Sequence, residues 1–379
     1  MTKQRTIRVG VVGVGGIAQS QHIPGYLRCQ DVEIAALCDV NQALLESMGQ
    51  KYAVSTLTTD YRELVELDHL DAVDICTAND MHHPVAMAAI AQGKHVFCEK
   101  PLALNYEQAR QMVEAAQAAD VVTGVGFVHR VTPAARLAHQ LIAEGALGDI
   151  YHVIATFASG DANYAEQPMS WRRSRAKAGS GALFDLGAHM IDMMCWWLGQ
   201  EITAVCAHTR TFVTQRQWPE NHERAGEPAL VDAEDASTLM ADFAGGAMGT
   251  FVNSYVFTGR GFAQRSEVYG SQGALIYDQA TPCALRVCLG AEMLTLSAAW
   301  GVGRRKEEPF PIIPVAEALK DRWTPDETPA RTLNPDFIAA IRGEEAFLPT
   351  FYEGMKVQEV LDAALLSAEQ ARWVKLPLP

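Results

Sequence analysis

Across roughly the first 125 residues, short apolar runs alternate with helix-like segments, and nothing else in the sequence limits the fold so strongly. The runs are TIRVGVVG (6–13), VEIAALCD (32–39), DAVDICTA (71–78), KHVFCEK (94–100) and VVTGVGF (121–127). They are apolar through most of their length, not at alternate positions, which suits strands covered on both faces. Between them lie IAQSQHIPGYLR, NQALLESMGQKY, DYRELVEL, HPVAMAAIAQG and NYEQARQMVEAAQAAD, with Asn41 and Asn105 placed as N-caps and Gly93 as a helix stop. Parallel strands need crossover connections and helices supply them, so the alternation predicts a doubly wound parallel sheet.

A helix is expected over TPAARLAHQLIAEGALG, and then the texture changes. Strand-like stretches follow one another: YHVIATFA (151–158), ITAVCAHTRTF (202–212), STLMADFAGGAMGTFVNSYVF (237–257), RSEVYGSQGALIYD (265–278), ALRVCL and MLTLSAAW. Several alternate apolar with polar residues, and AGGAMG and GSQGAL read as hairpin turns, which predicts an open, mostly antiparallel sheet packed on helices. Gly301 to Pro335 is rich in charge and proline and reads as a loop excursion; PDFIAAIRG and EGMKVQEVLDAALLSAEQARW read as helices. The chain of 379 residues can build two cores. The expected fold is α/β, with one domain over 1–130 and a second over 131–379, whose last helix is free to pack back on the first.

Thirty-one basic against 45 acidic residues give a net charge of −14, and no run of Lys and Arg stands out. That balance argues against nucleic acid and anionic membranes as partners. The N-terminus passes straight into a strand-like run without a signal-peptide pattern, and no segment has the apolar length to span a bilayer. Eight cysteines include no C-x-x-C pair, and Cys38, Cys76 and Cys98 sit inside apolar runs. They read as buried thiols of a cytoplasmic protein, not as a disulfide framework or a metal site.

The first strand runs into GVGGIA (13–18). In this G-x-G-x-x-A pattern Gly13 permits a tight turn, Gly15 lets the backbone approach a pyrophosphate, and Ala18 allows close helix–strand packing; Gly16 and Ile17 complete the loop. Asp39 ends the second strand, where a carboxylate accepts hydrogen bonds from both hydroxyls of an adenosine ribose. It repels a 2′-phosphate, and its neighbours Val40 and Asn41 supply no cation, so the pattern favours NAD over NADP. The competing reading makes Asp39 a helix-start carboxylate.

Two more strand ends carry polar groups, where open α/β sheets bind ligands: TANDMHHP, with Ala78, Asn79 and His82, and CEKP, with Glu99, Lys100 and Pro101. Read alone, Asn79 is a turn residue, His82 a cap, and Lys100 a side chain snorkelling to water. Further on, GSGALFDLGAHMIDMMCWWLG (179–199) is an apolar helix in which Asp185, His189 and Asp192 share one face. Burying such a stripe unpaired costs several kcal/mol, so it is either a satisfied core network or the wall of a cleft.

Taken together, G-x-G-x-x-A, Asp39, N-x-x-H (79–82), Glu99-Lys100-Pro101, GFVHRVTP (126–133) and G-x-G-A-L-x-D-x-G-x-H (179–189) resemble the glucose–fructose oxidoreductase, inositol 2-dehydrogenase and rhizopine-catabolism (GFO/IDH/MocA) family. The resemblance runs from about residue 7 to 278, and the ending FYEGMKVQEVLDAALLSAEQA fits it too. It implies an N-terminal Rossmann domain, a C-terminal α/β domain, NAD(P)-dependent oxidation or reduction of sugar or cyclitol ring carbons, and dimers or tetramers formed through the second sheet. It also implies that Lys100 lies between nicotinamide and substrate, with Asp185 and His189 facing it from the other domain. Arg130 matches a substrate-contacting arginine, Trp171-Arg172 a position that folds over the cofactor, and Tyr255 a pocket lining. SGA (180–182) and TAND depart from the commoner G-G-x and T-P-N without removing a reactive group.

On this reading His189 takes the hydroxyl proton, Asp185 orients it or binds a neighbouring hydroxyl, and Lys100 stabilises the developing alkoxide. Lys100 as the base stays open, and Asp192 is read as structural. Two other functions also stay open: a glycosidase of the same fold that retains NAD, and a non-catalytic NAD-binding protein.

Overall fold

The computed structural model describes residues 5–164, 166–290, 311–316, 319 and 332–379. Its residues divide into two compact units. The first holds the described residues of Met1–Val128, Ala176–Gly179 and Thr324–Gln358; the second holds those of His129–Arg175, Ser180–Trp323 and Glu359–Pro379.

The first unit contains β1 (Ile7–Val12), β2 (Val32–Cys38), β3 (Thr56–Thr58), β4 (Ala72–Ile75), β5 (His95–Cys98) and β6 (Thr123–Val125). They form one parallel sheet in the order β3-β2-β1-β4-β5-β6. Chain direction across the sheet reverses between β1 and β4, and the carboxyl ends of strands at such a switch point form the binding crevice of open α/β sheets. β3 has no counterpart among the expected strands. It is a half-buried Thr-Leu-Thr at the sheet edge, too short and polar for an apolar signal. The caps are where local chemistry puts them: Asn41 accepts from the Leu44 N–H at 3.1 Å, Asn105 from the Gln108 N–H at 2.9 Å, and Gly93 is left-handed with φ +67°. The segment after the glycine loop differs from the expected plain helix: it opens with a π-helical turn, Ala18–His22, before the α-helix Ile23–Leu27.

The second unit holds β7 (Ile150–Ala158), β8 (Ile202–Arg210), β9 (Gln215–Gln217), β10 (Pro228–Leu230), β11 (Ala236–Phe243), β12 (Met248–Ser254), β13 (Ala263–Gly270), β14 (Gly273–Asp278), β15 (Ala284–Leu289), β16 (Ile312–Pro314) and β17 (Val374–Lys375). β9 and β10 pair separately; the others form a nine-stranded sheet in the order β16-β15-β14-β13-β7-β12-β11-β8-β17. Among the described residues of this sheet, β12 and β7 run parallel and the other neighbouring strands antiparallel. β11 shows why one face packs: Ser237, Leu239, Ala241 and Phe243 are buried while Thr238, Met240 and Asp242 between them are exposed. AGGAMG and GSQGAL close the hairpins β11–β12 and β13–β14.

Within the 301–335 stretch, read as loop, residues 312–314 form the edge strand β16 and Asn334 opens the helix Asn334–Ile341. An edge strand tolerates the flanking prolines that obscure it in the sequence. The MLTLSAAW run lies outside the described residues. The long C-terminal helix spans Phe351–Gln370. Among the described residues no helix is long and apolar enough to cross a membrane.

Candidate active site

β1 delivers the chain to Gly13, whose φ is +89° and where a Cβ would stand 2.7 Å from the Cys76 carbonyl oxygen. Glycine is required there twice over. At Gly15 and Gly16 a Cβ would meet nothing within 4 Å, so their backbone borders open space into which a phosphate can come close. Asp39, ending at the next strand, accepts from the Val14 N–H and the Asn41 N–H, each at 2.9 Å. It therefore steadies the glycine loop and starts the following helix. A carboxylate has about four acceptor sites, so two remain for ribose hydroxyls. The loop and Asp39 fit a dinucleotide.

The ends of β4 and β5 are tied to protein groups. Ala78 leads into the 3₁₀ turn Asn79–Met81. The Asn79 amide donates to the Ala178 carbonyl at 2.9 Å, and Lys177 pairs with Asp80 at 2.6 Å, so residues 176–179 dock on this turn. His82 lies between two carbonyl oxygens, Nδ1 at 2.9 Å from Pro101 and Nε2 at 3.3 Å from Thr77. Burial pushes its pKa down, so the ring is neutral and donates from Nδ1, latching the loops after β4 and β5 together. Glu99 accepts the Lys100 N–H at 3.1 Å through Oε2, and its Oε1 faces His22 Nε2 at 2.9 Å. A Cβ on Gly126 would stand 2.6 Å from that Oε1, which accounts for the glycine of GFVHR. Lys100, half-buried, follows, and the Lys100–Pro101 bond is cis.

In the second unit the glycine turn before the helix over 183–198 is a carboxylate cap. Buried Glu234 accepts from the Gly181 N–H at 2.8 Å, the Leu183 N–H at 2.9 Å and the Ser180 hydroxyl at 2.5 Å. A Cβ on Gly181 would lie 1.9 Å from the Glu234 carbonyl oxygen. The helix opens with a π-helical turn, Leu183–Gly187, and continues as Ala188–Leu198; such wide turns recur at functional sites. The polar stripe is divided among three neighbours. Asp185 accepts from the Tyr255 hydroxyl at 2.7 Å, and burial with that carboxylate holds the phenol pKa well above its usual value, so Tyr255 stays a donor. The His189 ring lies 4.2 Å from that of His129 and 6.2 Å from that of Phe157, centre to centre. Asp192 takes a two-pronged bond from Arg130, 2.9 Å from Nε and 2.5 Å from Nη2, and Arg130 also lies over the Trp196 ring. Trp171 and Arg172 occupy a 3₁₀ turn, with the Arg172 guanidinium 4.3 Å above the indole. Arg173 covers the Tyr255 ring at 4.4 Å and stands 3.9 Å from Asp235.

Residues 7–127 match the model of an oxidoreductase family with an NAD-binding Rossmann fold, and residues 135–276 match that of the GFO/IDH/MocA C-terminal domain. Levoglucosan dehydrogenase of Pseudarthrobacter phenanthrenivorans is 30% identical over 358 residues, 90% of this chain and 89% of the relative. The chain belongs to the GFO/IDH/MocA family. The myo-inositol 2-dehydrogenase of Thermotoga maritima is 29% identical over 272 residues, 72% of this chain and 75% of the relative. Among solved structures, an oxidoreductase domain protein from Kribbella flavida superimposes with a TM-score of 0.86 at 32% identity, covering 99% of this chain and 100% of the other. A levoglucosan dehydrogenase in complex with NADH and L-sorbose gives 0.85 at 28% identity, covering 98% and 99%. The protein is thus an NAD-binding oxidoreductase of this family.

Within this GFO/IDH/MocA chain several residues absent from the sequence reading belong to the site. Glu234 seats the helix of Asp185 and His189, Arg173 covers Tyr255, and His129 packs on His189. His22 and Asp74 form a buried pair behind Glu99. Asp74 was visible as a lone charge inside the apolar run DAVDICTA. The others carried no local signal.

Proposed function

We propose that the protein is an NAD-dependent dehydrogenase that moves a hydride between a ring CH–OH of a sugar, anhydrosugar, glycoside or inositol and the nicotinamide, with Lys100, Asp185 and His189 as catalytic residues. The observation that carries the reading is Asp185, fixed by Tyr255 at 2.7 Å one turn before His189. The activities of the relatives, levoglucosan dehydrogenase and myo-inositol 2-dehydrogenase, support the substrate class.

NAD, when bound, would supply the hydride acceptor. As the carbinol carbon loses that hydride, its hydroxyl proton must leave for the C=O bond to form. His189 takes the proton, a role that suits an imidazole near neutral pH. Asp185 steadies the resulting imidazolium with its orientation set by Tyr255, and the Lys100 ammonium stabilises developing negative charge on the oxygen. Arg130 and Asp192 hold the helix that presents His189. Gly13, Gly15, Gly16 and Ile17 form the phosphate cradle, and Asp39 binds the ribose and selects NAD over NADP. We further read the protein as a cytoplasmic homo-oligomer assembled through the nine-stranded sheet; Met240 and Met248, 50% and 57% exposed on its open face, support this.

The test is NADH formation followed by absorbance with levoglucosan, myo-inositol, glucose and methyl glucosides, each offered with NAD and with NADP. At least one polyol is expected to reduce NAD, with NADP at least about 10-fold poorer. Lys100→Met should lower turnover by about 10²-fold or more. NADH-binding protein that reduces no cofactor with any polyol, or that cleaves the glucosides without net NADH, would overturn the reading.

A further inference from the structure

His22, Asp74 and Glu99 form a buried line of charged groups behind Lys100; they are 2%, 0% and 9% exposed. His22 Nδ1 lies 3.0 and 2.9 Å from the two Asp74 oxygens, and Nε2 lies 2.9 Å from Glu99 Oε1. A neutral imidazole has one N–H, so it would turn a lone pair on one of the two carboxylates; only the imidazolium donates to both. Beyond Asp74, the Asn334 amide stands 3.4 Å from Oδ2. At the other end, Glu99 Oε2 accepts the main-chain N–H of Lys100.

We infer that His22 is a positioning residue for Lys100: clamped by Asp74 as an imidazolium, it keeps Glu99 ionised and in place, and Glu99 fixes the lysine through its main-chain N–H. His22 ends the π-helical turn that follows the glycine loop, so the segment that receives the dinucleotide is joined to the lysine by two hydrogen bonds. The surrounding charges agree. Burial opposes the His22 cation, but the charge and hydrogen bond of Asp74, helped by a hydrogen bond to Cys76, raise its pKa well above the usual value. Burial likewise raises Glu99, but His22 and Lys100 outweigh it and hold the carboxyl low. The remaining titratable neighbours are neutral near pH 7: burial pushes the Cys76 thiol up to about 12, the Cys98 thiol and the Tyr26 phenol well up, and the His82 imidazole down.

The inference rests on Lys100 being catalytic, and two measurements separate the questions. In ¹⁵N NMR of histidine-labelled protein, one ring is expected to keep both nitrogens protonated from about pH 6 to 9, and His22→Gln should delete that signal. In turnover with NAD and the polyol oxidised fastest, His22→Gln should show a new acid limb: without its cationic partner, buried Glu99 takes up a proton, so kcat falls as pH drops and recovers as it rises. His22→Gln/Glu99→Gln should lose that recovery, while NADH affinity, read by fluorescence quenching, stays within about twofold in both. Should His22→Gln fail to fold, Glu99→Gln alone should show reduced kcat without pH recovery and a His22 ring that deprotonates at lower pH. A His22 ring lacking one proton at pH 7.5, or a His22→Gln profile parallel to that of the unaltered chain, overturns the inference. If Lys100→Met retains full turnover, the reading of Lys100 falls; if it is inactive while the His22→Gln profile is unchanged, only the positioning role falls.

Discussion

Asp39 engages its two oxygens with the Val14 and Asn41 N–H groups, so the ribose role proposed for it would be carried by a side chain that already has a structural one. Asp39→Ala should therefore weaken NADH binding and also lower stability by about 1–3 kcal/mol, because it strips a partner from the glycine loop. Calorimetric melting with and without NADH separates the two losses. Tyr255→Phe removes one donor to Asp185 and no packing. A hydrogen bond to a charged group contributes about 1.5–3 kcal/mol to stability, so the melting temperature should fall by a few degrees, and kcat/KM should fall as well if Tyr255 orients Asp185 for the reaction; unchanged kinetics would remove Asp185 from the mechanism. The glycine loop and Asp39 were legible in the sequence because their chemistry is local: a turn, an open backbone and a strand end. The partner of Asp185 was not, since Tyr255 lies 70 residues away and meets it only through tertiary packing.

The helix over 183–198 shows what periodicity conveys and what it hides. Its apolar faces and its Asp–x–x–x–His spacing are plain in the sequence. The π-helical turn over Leu183–Gly187 is not, and neither is the engagement of N–H groups at its start by Glu234, far along the chain. Nor does spacing show that Asp192 serves Arg130 at a separation of 62 residues. Asp192→Asn removes the carboxylate that the buried guanidinium pairs with, which should cost about 3–5 kcal/mol and lower the melting temperature by several degrees. Asp192→Asn with unaltered melting would show that the pair is not holding the helix. Gly181→Ala, which sets a methyl against the Glu234 backbone, should be more damaging still. β3 and β16 mark the other limit, as three-residue edge strands lack the length to build a pattern.

Both sheets were legible in outline. Five buried apolar runs between capped helices suit a parallel sheet, and the apolar–polar alternation of several later stretches suits a half-covered one. The buried His22–Asp74–Glu99 line was not legible, because 77 residues separate His22 from Glu99 and only the fold brings them together. It also has a consequence for the stability of the whole protein. His22 has a raised native pKa, so its contribution is complete below the unfolded value of 6.5 and is lost as pH rises toward the native one. Glu99 has a lowered native pKa, so its contribution is complete above the unfolded value of 4.5 and is lost as pH falls. The difference in melting temperature between the unaltered chain and His22→Gln should thus be largest between these values and shrink as pH rises from 6.5 to 9; a difference constant across that range would mean the ring is neutral throughout. The most direct check of the proposed chemistry is a crystal structure with NADH and the polyol that the protein oxidises. Lys100 Nζ and a His189 ring nitrogen should both stand within about 3.2 Å of one hydroxyl whose carbon faces the nicotinamide. A polyol whose reacting hydroxyl meets only one of them, or neither, would contradict it.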